Sequence, residues 1–432
     1  MRQIFDIIKL LFKSTLIQSA GVYTITSALN AAIPFLLMPV LTRYLTTADY
    51  GMVSMYGVLI SFVTPFVGFN VEGAVSRQYY EREQVDMTVY VSSCFAILLC
   101  STVVVFIIFN VLAEPLFRLT SVPQQWLWTI VLVCFMQFIC RMVLVLWQVR
   151  VMPSRYGTFQ IIQTALNAGL SVILVVIVGM AWQGPLIGQM VAVFVFAGIA
   201  LVILSRDGWL KFKVNKQYIR SALNFGVPLV PHTLGGVIIG ITDRIFITKM
   251  VGLDATGLYT VGYQVGMIIA LLQDSFNKAY VPWLYERLKM DDLSIKIRLV
   301  KITYLYFIII ISISLLLAAI APWFLSFFVG KQFAESAIFV VWIALGYAFN
   351  GMYKMVVNYI FYAQKTAILA WITFGTALVN IVFNYFFISL NGAIGAAQAT
   401  TVTFALSFVA TWIFSNKAYK MPWFFMENDL YQ

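Results

Sequence analysis

Apolar stretches of about 20 residues recur from one end of the chain to the other, separated by short clusters of charged, glycine and proline residues. Twelve stand out, at about 17–41, 51–71, 88–112, 126–148, 157–180, 184–204, 225–248, 258–280, 302–322, 337–361, 366–388 and 393–415. A helix rising 1.5 Å per residue needs about that length to cross a hydrocarbon core of ~30 Å. The pattern predicts an all-α integral membrane protein with about twelve transmembrane helices. Composition agrees: 62% of the 432 residues are hydrophobic, 10% are charged and the mean hydropathy is +0.90. No soluble chain keeps that much apolar surface out of water.

The basic residues orient the helices. Placing both termini in the cytoplasm puts most of the 28 Lys and Arg on the inner side, with only Arg43, Arg118, Lys249 and Lys331 in outer loops. Arg141, Arg244 and Lys354 remain inside spans. The net charge of +11 thus reflects the positive-inside bias and does not point to nucleic acid. Residues 1–16 lead into the first span, with Ile4, Ile7, Ile8 and Leu11 on one helical face and Arg2 and Lys9 outside it. That arrangement suits an interfacial helix rather than a cleaved signal.

Enzyme signals are absent from the sequence. It has no phosphate-binding glycine loop, nucleophile elbow or metal-ligand cluster, so neither cofactor nor metal is expected. Cys94, Cys100, Cys134 and Cys140 all lie within apolar segments and read as packing residues. Loops are too short to hold a catalytic domain. His232 is the only histidine.

The chain also repeats itself. Thr42-Arg43 through Tyr50-Gly51-Met52 runs parallel to Thr248-Lys249 through Thr256-Gly257-Leu258. Tyr80-Glu81-Arg82 matches Tyr285-Glu286-Arg287, Arg141-Met142-Val143 matches Lys354-Met355-Val356, and Thr164-Ala165-Leu166 matches Thr376-Ala377-Leu378. The order is kept and the separation changes little. Two six-helix lobes follow, residues 17–204 and 225–415, joined by a basic linker at 205–224 and followed by a tail at 416–432. Because six is even, both lobes run the same way through the membrane. A pseudo-two-fold axis along the membrane normal is expected, with a binding site near the midplane.

Charges inside the spans are the candidate chemistry. A basic residue at mid-membrane costs roughly 2.5–3.5 kcal/mol on insertion scales, and Arg141 and Lys354 sit at equivalent repeat positions. Either they line a substrate pathway and hold a diphosphate, or they snorkel partway to the inner headgroups. Asp243 could bind a coupling cation or neutralise a cation on a neighbouring helix, and Asp274 is a second candidate of the same kind. Arg244, adjacent to Asp243 but ~100° around the helix, cannot pair with it directly. Glu72 and Lys278 occupy equivalent positions with opposite charge; they read either as an inner gate or as ordinary headgroup-level charges. Pro34 and Pro39 in the first span, and Pro228 and Pro231 in the seventh, predict bent helices.

With these features the chain resembles the bacterial O-antigen and polysaccharide repeat-unit flippases of the multidrug/oligosaccharidyl-lipid/polysaccharide superfamily. The resemblance rests on the six-plus-six plan, on Ala48-Asp49-Tyr50-Gly51 after span one, and on Asp243-Arg244 with Gly257-Leu258-Tyr259 around span seven. It implies an alternating-access flippase moving undecaprenyl-diphosphate-linked oligosaccharide from the cytoplasmic to the outer leaflet of the bacterial inner membrane, for surface polysaccharide such as lipopolysaccharide. Membrane lipids, a polysaccharide polymerase and a chain-length regulator are the implied partners. The resemblance itself supplies no site; from the repeat, Arg141 and Lys354 would engage the diphosphate, with Arg244 assisting near the outer exit. A Na+ or H+ gradient, or the membrane potential at ~2.3 kcal/mol per charge per 100 mV, would supply the energy. The alternatives are a drug/cation antiporter of the same superfamily, which needs an acidic cavity, and a membrane-integral polymerase or ligase, which needs a large outer loop.

Overall fold

A computed structural model describes residues 15–211, 213–363, 365 and 367–423. The expected interfacial lead at 1–16 and most of the tail fall outside those residues. Every regular element among the described residues is helical. Among the described residues, nine helical segments are long and apolar enough to cross a membrane, and a tenth joins them if Lys216–Gly235 and Gly240–Met250 form one bent span. The protein is a multi-pass membrane protein.

The chain separates into two compact units. The first holds the described residues up to Leu45 with Met52–Val237. Its main helices are α1 (Thr15–Tyr44), α2 (Thr47–Val63, its first residues excepted), α3 (Val71–Gln78), α4 (Met87–Val111), α5 (Leu127–Val149), α6 (Pro153–Val172), α7 (Gln183–Arg206) and α8 (Lys216–Gly226). Here α6 packs between α1 and α7, while α5 packs on α4 and α7. Phe138, Ile130, Cys134, Leu98 and Cys94 are fully buried in this unit, and all four cysteines are free thiols.

The second unit holds Ile238–Gln432, so far as described, with the stretch Thr46–Gly51. It comprises the later part of α9 (Leu229–Met250), then α10 (Leu253–Gly266), α11 (Ile268–Leu288), α12 (Leu293–Phe328), α13 (Ala337–Tyr362), α14 (Ala367–Asn391) and α15 (Ala393–Ala418). The break between units therefore falls inside α9, beyond the basic linker at 205–224. Helix α13 is central, touching α10, α11, α12 and α15. Small residues make those contacts close, as expected where lipid offers no hydrophobic drive between helices. Ala344, Ala348, Ala396, Ala397 and Ala399 are fully buried, and a Cβ on Gly266 would stand 2.6 Å from Ile343. Outward positions stay apolar: Leu305, Ile308, Leu316 and Trp323 of α12 are exposed, as lipid-facing side chains are. At 36 residues, α12 is ~54 Å long, more than the hydrocarbon core, so one end projects beyond it.

Thr46–Gly51 explains the repeated glycines. A Cβ on Gly51 would lie 2.1 Å from the Leu253 carbonyl oxygen, and one on Gly257 would lie 1.9 Å from that of Thr47. The starts of α2 and α10 thus meet backbone to backbone, and only glycine fits at either position. Thr47 donates to Asp254 beside this contact, and Tyr50 donates to Gln264 at 3.2 Å.

The prolines divide into two kinds. Pro34 and Pro39 lie inside α1, which continues through both. Pro228 sits in the turn before α9, and Pro231 in that helix's first turn, where the missing N–H has no intrahelical partner to lose.

Candidate functional site: paired cations and a buried carboxylate

Both deep cations face an acid of their own unit. Arg141 on α5 approaches Glu72 on α3, with Nε 3.7 Å from Oε1. The contact is loose. Arg141 Nε and Glu72 Oε2 are both buried without any hydrogen bond, although the side chains remain 33% and 14% exposed. The N–H is thus an unused donor beside a carboxylate too far away to accept it.

In the second unit Lys354 on α13 pairs with Asp274 on α11. The two units thus place an acid against the cation by the same plan, the cation sitting at the matched repeat position in each. Glu72 is engaged by Arg141 in the first unit, and Lys278 is exposed on α11 in the second.

Asp243 behaves differently. It is 2% exposed, and among the described residues it forms no salt bridge. Its hydrogen-bond donors are neutral. Tyr259 donates its hydroxyl to Oδ2 at 2.5 Å, Thr400 donates to Oδ2 at 2.8 Å, and Asn384 donates its amide to Oδ1 at 2.9 Å. Arg244 points elsewhere: its Nη1 donates to the Gly240 carbonyl at 2.8 Å, and its guanidinium lies 4.4 Å from the centre of the Tyr263 ring. Tyr263 in turn meets Tyr347, hydroxyl to hydroxyl, at 2.5 Å.

The amides beside Asp243 are incompletely paired, with both a donor and an acceptor left over. The Asn384 amide nitrogen carries two hydrogens yet faces three oxygens: Asp243 Oδ1 at 2.9 Å, the Asn380 carbonyl at 3.0 Å and Asn380 Oδ1 at 3.2 Å. Asn384 Oδ1 and Asn380 Nδ2 are buried with no partner. Burying an unpaired carboxylate costs several kcal/mol, and three charge-assisted hydrogen bonds return only part of it. Carboxylate and amide oxygens of this kind suit a small hard cation.

The sequence singled out Asp243, Arg141 and Lys354, but not the groups that complete Asp243. Asn380 and Asn384 were visible as a polar pair one turn apart in an otherwise apolar span. Tyr259 and Thr400 carry no signal by themselves, because their part depends on how α10 and α15 pack against α9.

A family profile described as "Polysaccharide biosynthesis protein" matches residues 16–287, well over half of the chain. The chain belongs to that family. A membrane protein of Haemophilus influenzae is 25% identical to this family member over 410 residues, covering 91% of this chain and 97% of its own. A protein of the Lsg locus in the same organism is 24% identical over 404 residues, covering 89% and 96%. Among solved structures, the lipid II flippase MurJ in an inward closed conformation has a TM-score of 0.73 at 13% identity, covering 93% of this chain and 87% of that one. An inward-facing multidrug resistance MATE family transporter of the MOP superfamily gives 0.70 at 12%, covering 90% and 94%. The Vibrio cholerae MATE transporter VcmN gives 0.58 at 14%, covering 97% and 98%. This polysaccharide biosynthesis protein therefore has the fold of MurJ and the MATE transporters. Those neighbours are a flippase and transporters, not enzymes.

Proposed function

We propose that the protein is a flippase for undecaprenyl-diphosphate-linked oligosaccharide repeat units, carrying them by alternating access from the cytoplasmic to the outer leaflet of a bacterial inner membrane. Membership of the polysaccharide biosynthesis family supports the substrate class, and the flippase-like fold supports the movement. The observation that carries the reading is the pair of deep cations, Arg141 and Lys354, each held by a carboxylate rather than buried against lipid. A diphosphate would displace Glu72 and Asp274 from them, exchanging one anion for another at modest cost. Arg244, held over Tyr263, would assist at the outer end of α9.

Asp243 would take the coupling cation, Na+ or H+. Binding would draw Asn384, Asn380, Thr400 and Tyr259 around one charge, linking α9, α10, α14 and α15. A cationic drug is a poorer substrate for these cavities, because no acid lines the polar cavity of the first unit. A surface polymerase and a chain-length regulator would act on the product, which reaches them as single repeat units.

The test is reconstitution in liposomes with a lipid-linked repeat unit bearing a fluorescent sugar. Protein-dependent loss of protection from an external quencher supports the proposal. Unchanged protection across imposed Na+ and H+ gradients and membrane potentials refutes it.

A further inference from the structure

Within the first unit, side chains of α1, α5, α6 and α7 line an open cavity of about 520 Å3. Six primary amides line it: Asn30, Gln137, Gln160, Gln163, Asn167 and Gln189. Hydrocarbon does not tolerate that many amides unless protein or water satisfies them. On α6 the polar positions Tyr156, Gln160, Thr164 and Asn167 recur along one face for about 16 Å, in a helix otherwise apolar enough to span the membrane.

One wall is fixed in place. Asn30 Nδ2 donates to Gln160 Oε1 at 3.2 Å, Thr164 donates to Asn30 Oδ1 at 2.7 Å, and Gln160 Nε2 donates to the Tyr156 hydroxyl at 3.3 Å. Three of the other amides are not. Among the described residues no protein hydrogen bond is shown for the Gln137 or Gln189 side chain, and Gln163 reaches only the Cys140 sulfur, at 3.9 Å. Each free amide offers two donors and an acceptor. A ligand that complements a ring of such groups has hydroxyls that both donate and accept, and it carries no positive charge, since the cavity contains no carboxylate. Its volume falls within the roughly 300–1,000 Å3 typical of small-molecule sites. Arg141, one helical turn beyond Gln137, closes one side.

We infer that this cavity is the glycan subsite of the protein. A hydroxyl-rich sugar of the lipid-linked repeat unit binds there through Gln137, Gln163 and Gln189, while Arg141 at its edge engages the adjoining phosphate. The inference rests on the flippase reading and extends it: the cations recognise the diphosphate common to all such lipids, and the amides select the sugar.

The test uses the full chain in lipid nanodiscs and two probes, bare undecaprenyl diphosphate and the undecaprenyl-diphosphate-linked repeat unit extracted from the producing strain. The wild type should bind the glycosylated lipid at least tenfold more tightly. Two variants address the cavity: Gln137→Leu with Gln189→Leu, which removes amides that bond to no protein group, and Leu144→Trp, which fills the space. Both should bring the ratio near one and leave affinity for the bare lipid within twofold, whereas Arg141→Gln should weaken both lipids. An unchanged ratio in either folded cavity variant, or no preference in the wild type, overturns the glycan subsite while leaving the flippase reading intact. Failure of the wild type to bind either lipid above a phospholipid control refutes the flippase reading itself.

Discussion

Arg141 Nε stands 3.7 Å from Glu72 Oε1, close enough for charge attraction and too far for a hydrogen bond. The pair is therefore electrostatically compensated yet keeps an unused donor. Lys354 in the second unit also faces a carboxylate, Asp274, but there the contact is a direct hydrogen bond.

Replacing both cations, Arg141→Gln with Lys354→Gln, should abolish surface polysaccharide export while the protein remains in the membrane at normal abundance. Glu72→Gln acts in the opposite sense on binding: with its competitor removed, Arg141 should hold undecaprenyl diphosphate severalfold more tightly. Affinity measured in nanodiscs checks this, and weaker binding in Glu72→Gln would show that the carboxylate positions Arg141 instead of competing for it.

Asp243→Asn keeps the shape of a buried side chain and removes its charge. Transport should fall at least tenfold and lose its dependence on the cation gradient, with the thermal midpoint preserved or raised because an unpaired buried charge is gone. Asp274→Asn, at a half-exposed position, should lower transport and leave the gradient dependence in place. Flux in proteoliposomes with imposed Na+ or H+ gradients separates the two.

Gly51→Val and Gly257→Val place side chains where backbone oxygens already stand. Overpacking typically costs ~1–3 kcal/mol, and here it is met by backbone rather than a movable side chain, so the upper end applies. Both variants should unfold at lower temperature in detergent and accumulate poorly, as a thermal-shift assay would show. Gly57, with open space around it, should accept Ala without loss.

Asp292 caps α12, accepting from the backbone N–H groups of Ser294 at 2.7 Å and Ile295 at 3.2 Å. The Ser294 hydroxyl bond, then these amides, hold its carboxyl below the usual 3.8. A lowered value means that the cap's contribution is complete above pH ~3.8 and disappears as pH falls through the folded value. Hydrogen exchange at the start of α12 should stay constant from neutral pH to about 4 once the intrinsic rate is corrected. Below that it should accelerate in the wild type and not in Asp292→Asn, which caps without titrating.

The all-helical, multi-span character was legible in the sequence because a bilayer makes hydrophobic length nearly sufficient to define a helix. The sequence suggests about twelve spans, against nine or ten among the described residues. Arg141, Lys354 and Asp243 were legible for the same reason, since a charge within such a segment is costly enough to be noticed. Their partners were harder to find. Glu72 reads as a headgroup-level charge until α3 is seen to turn it toward α5. Tyr259 and Thr400 are ordinary span residues until packing brings them to one carboxylate. Three of the six amides of the first-unit cavity were present on α6, but hydropathy averages over a face that only helical geometry separates. The break between units inside α9 left no mark, because it depends on which neighbours each turn touches rather than on composition.

The most direct test of the central claim is the leaflet position of lipid-linked repeat units in a strain deleted for this protein. The flippase account predicts intact repeat units accumulating on the cytoplasmic face and no surface polysaccharide, with both restored by the wild-type chain and neither by the Arg141→Gln, Lys354→Gln double variant. Repeat units reaching the outer face at the normal rate in the deletion strain would contradict it.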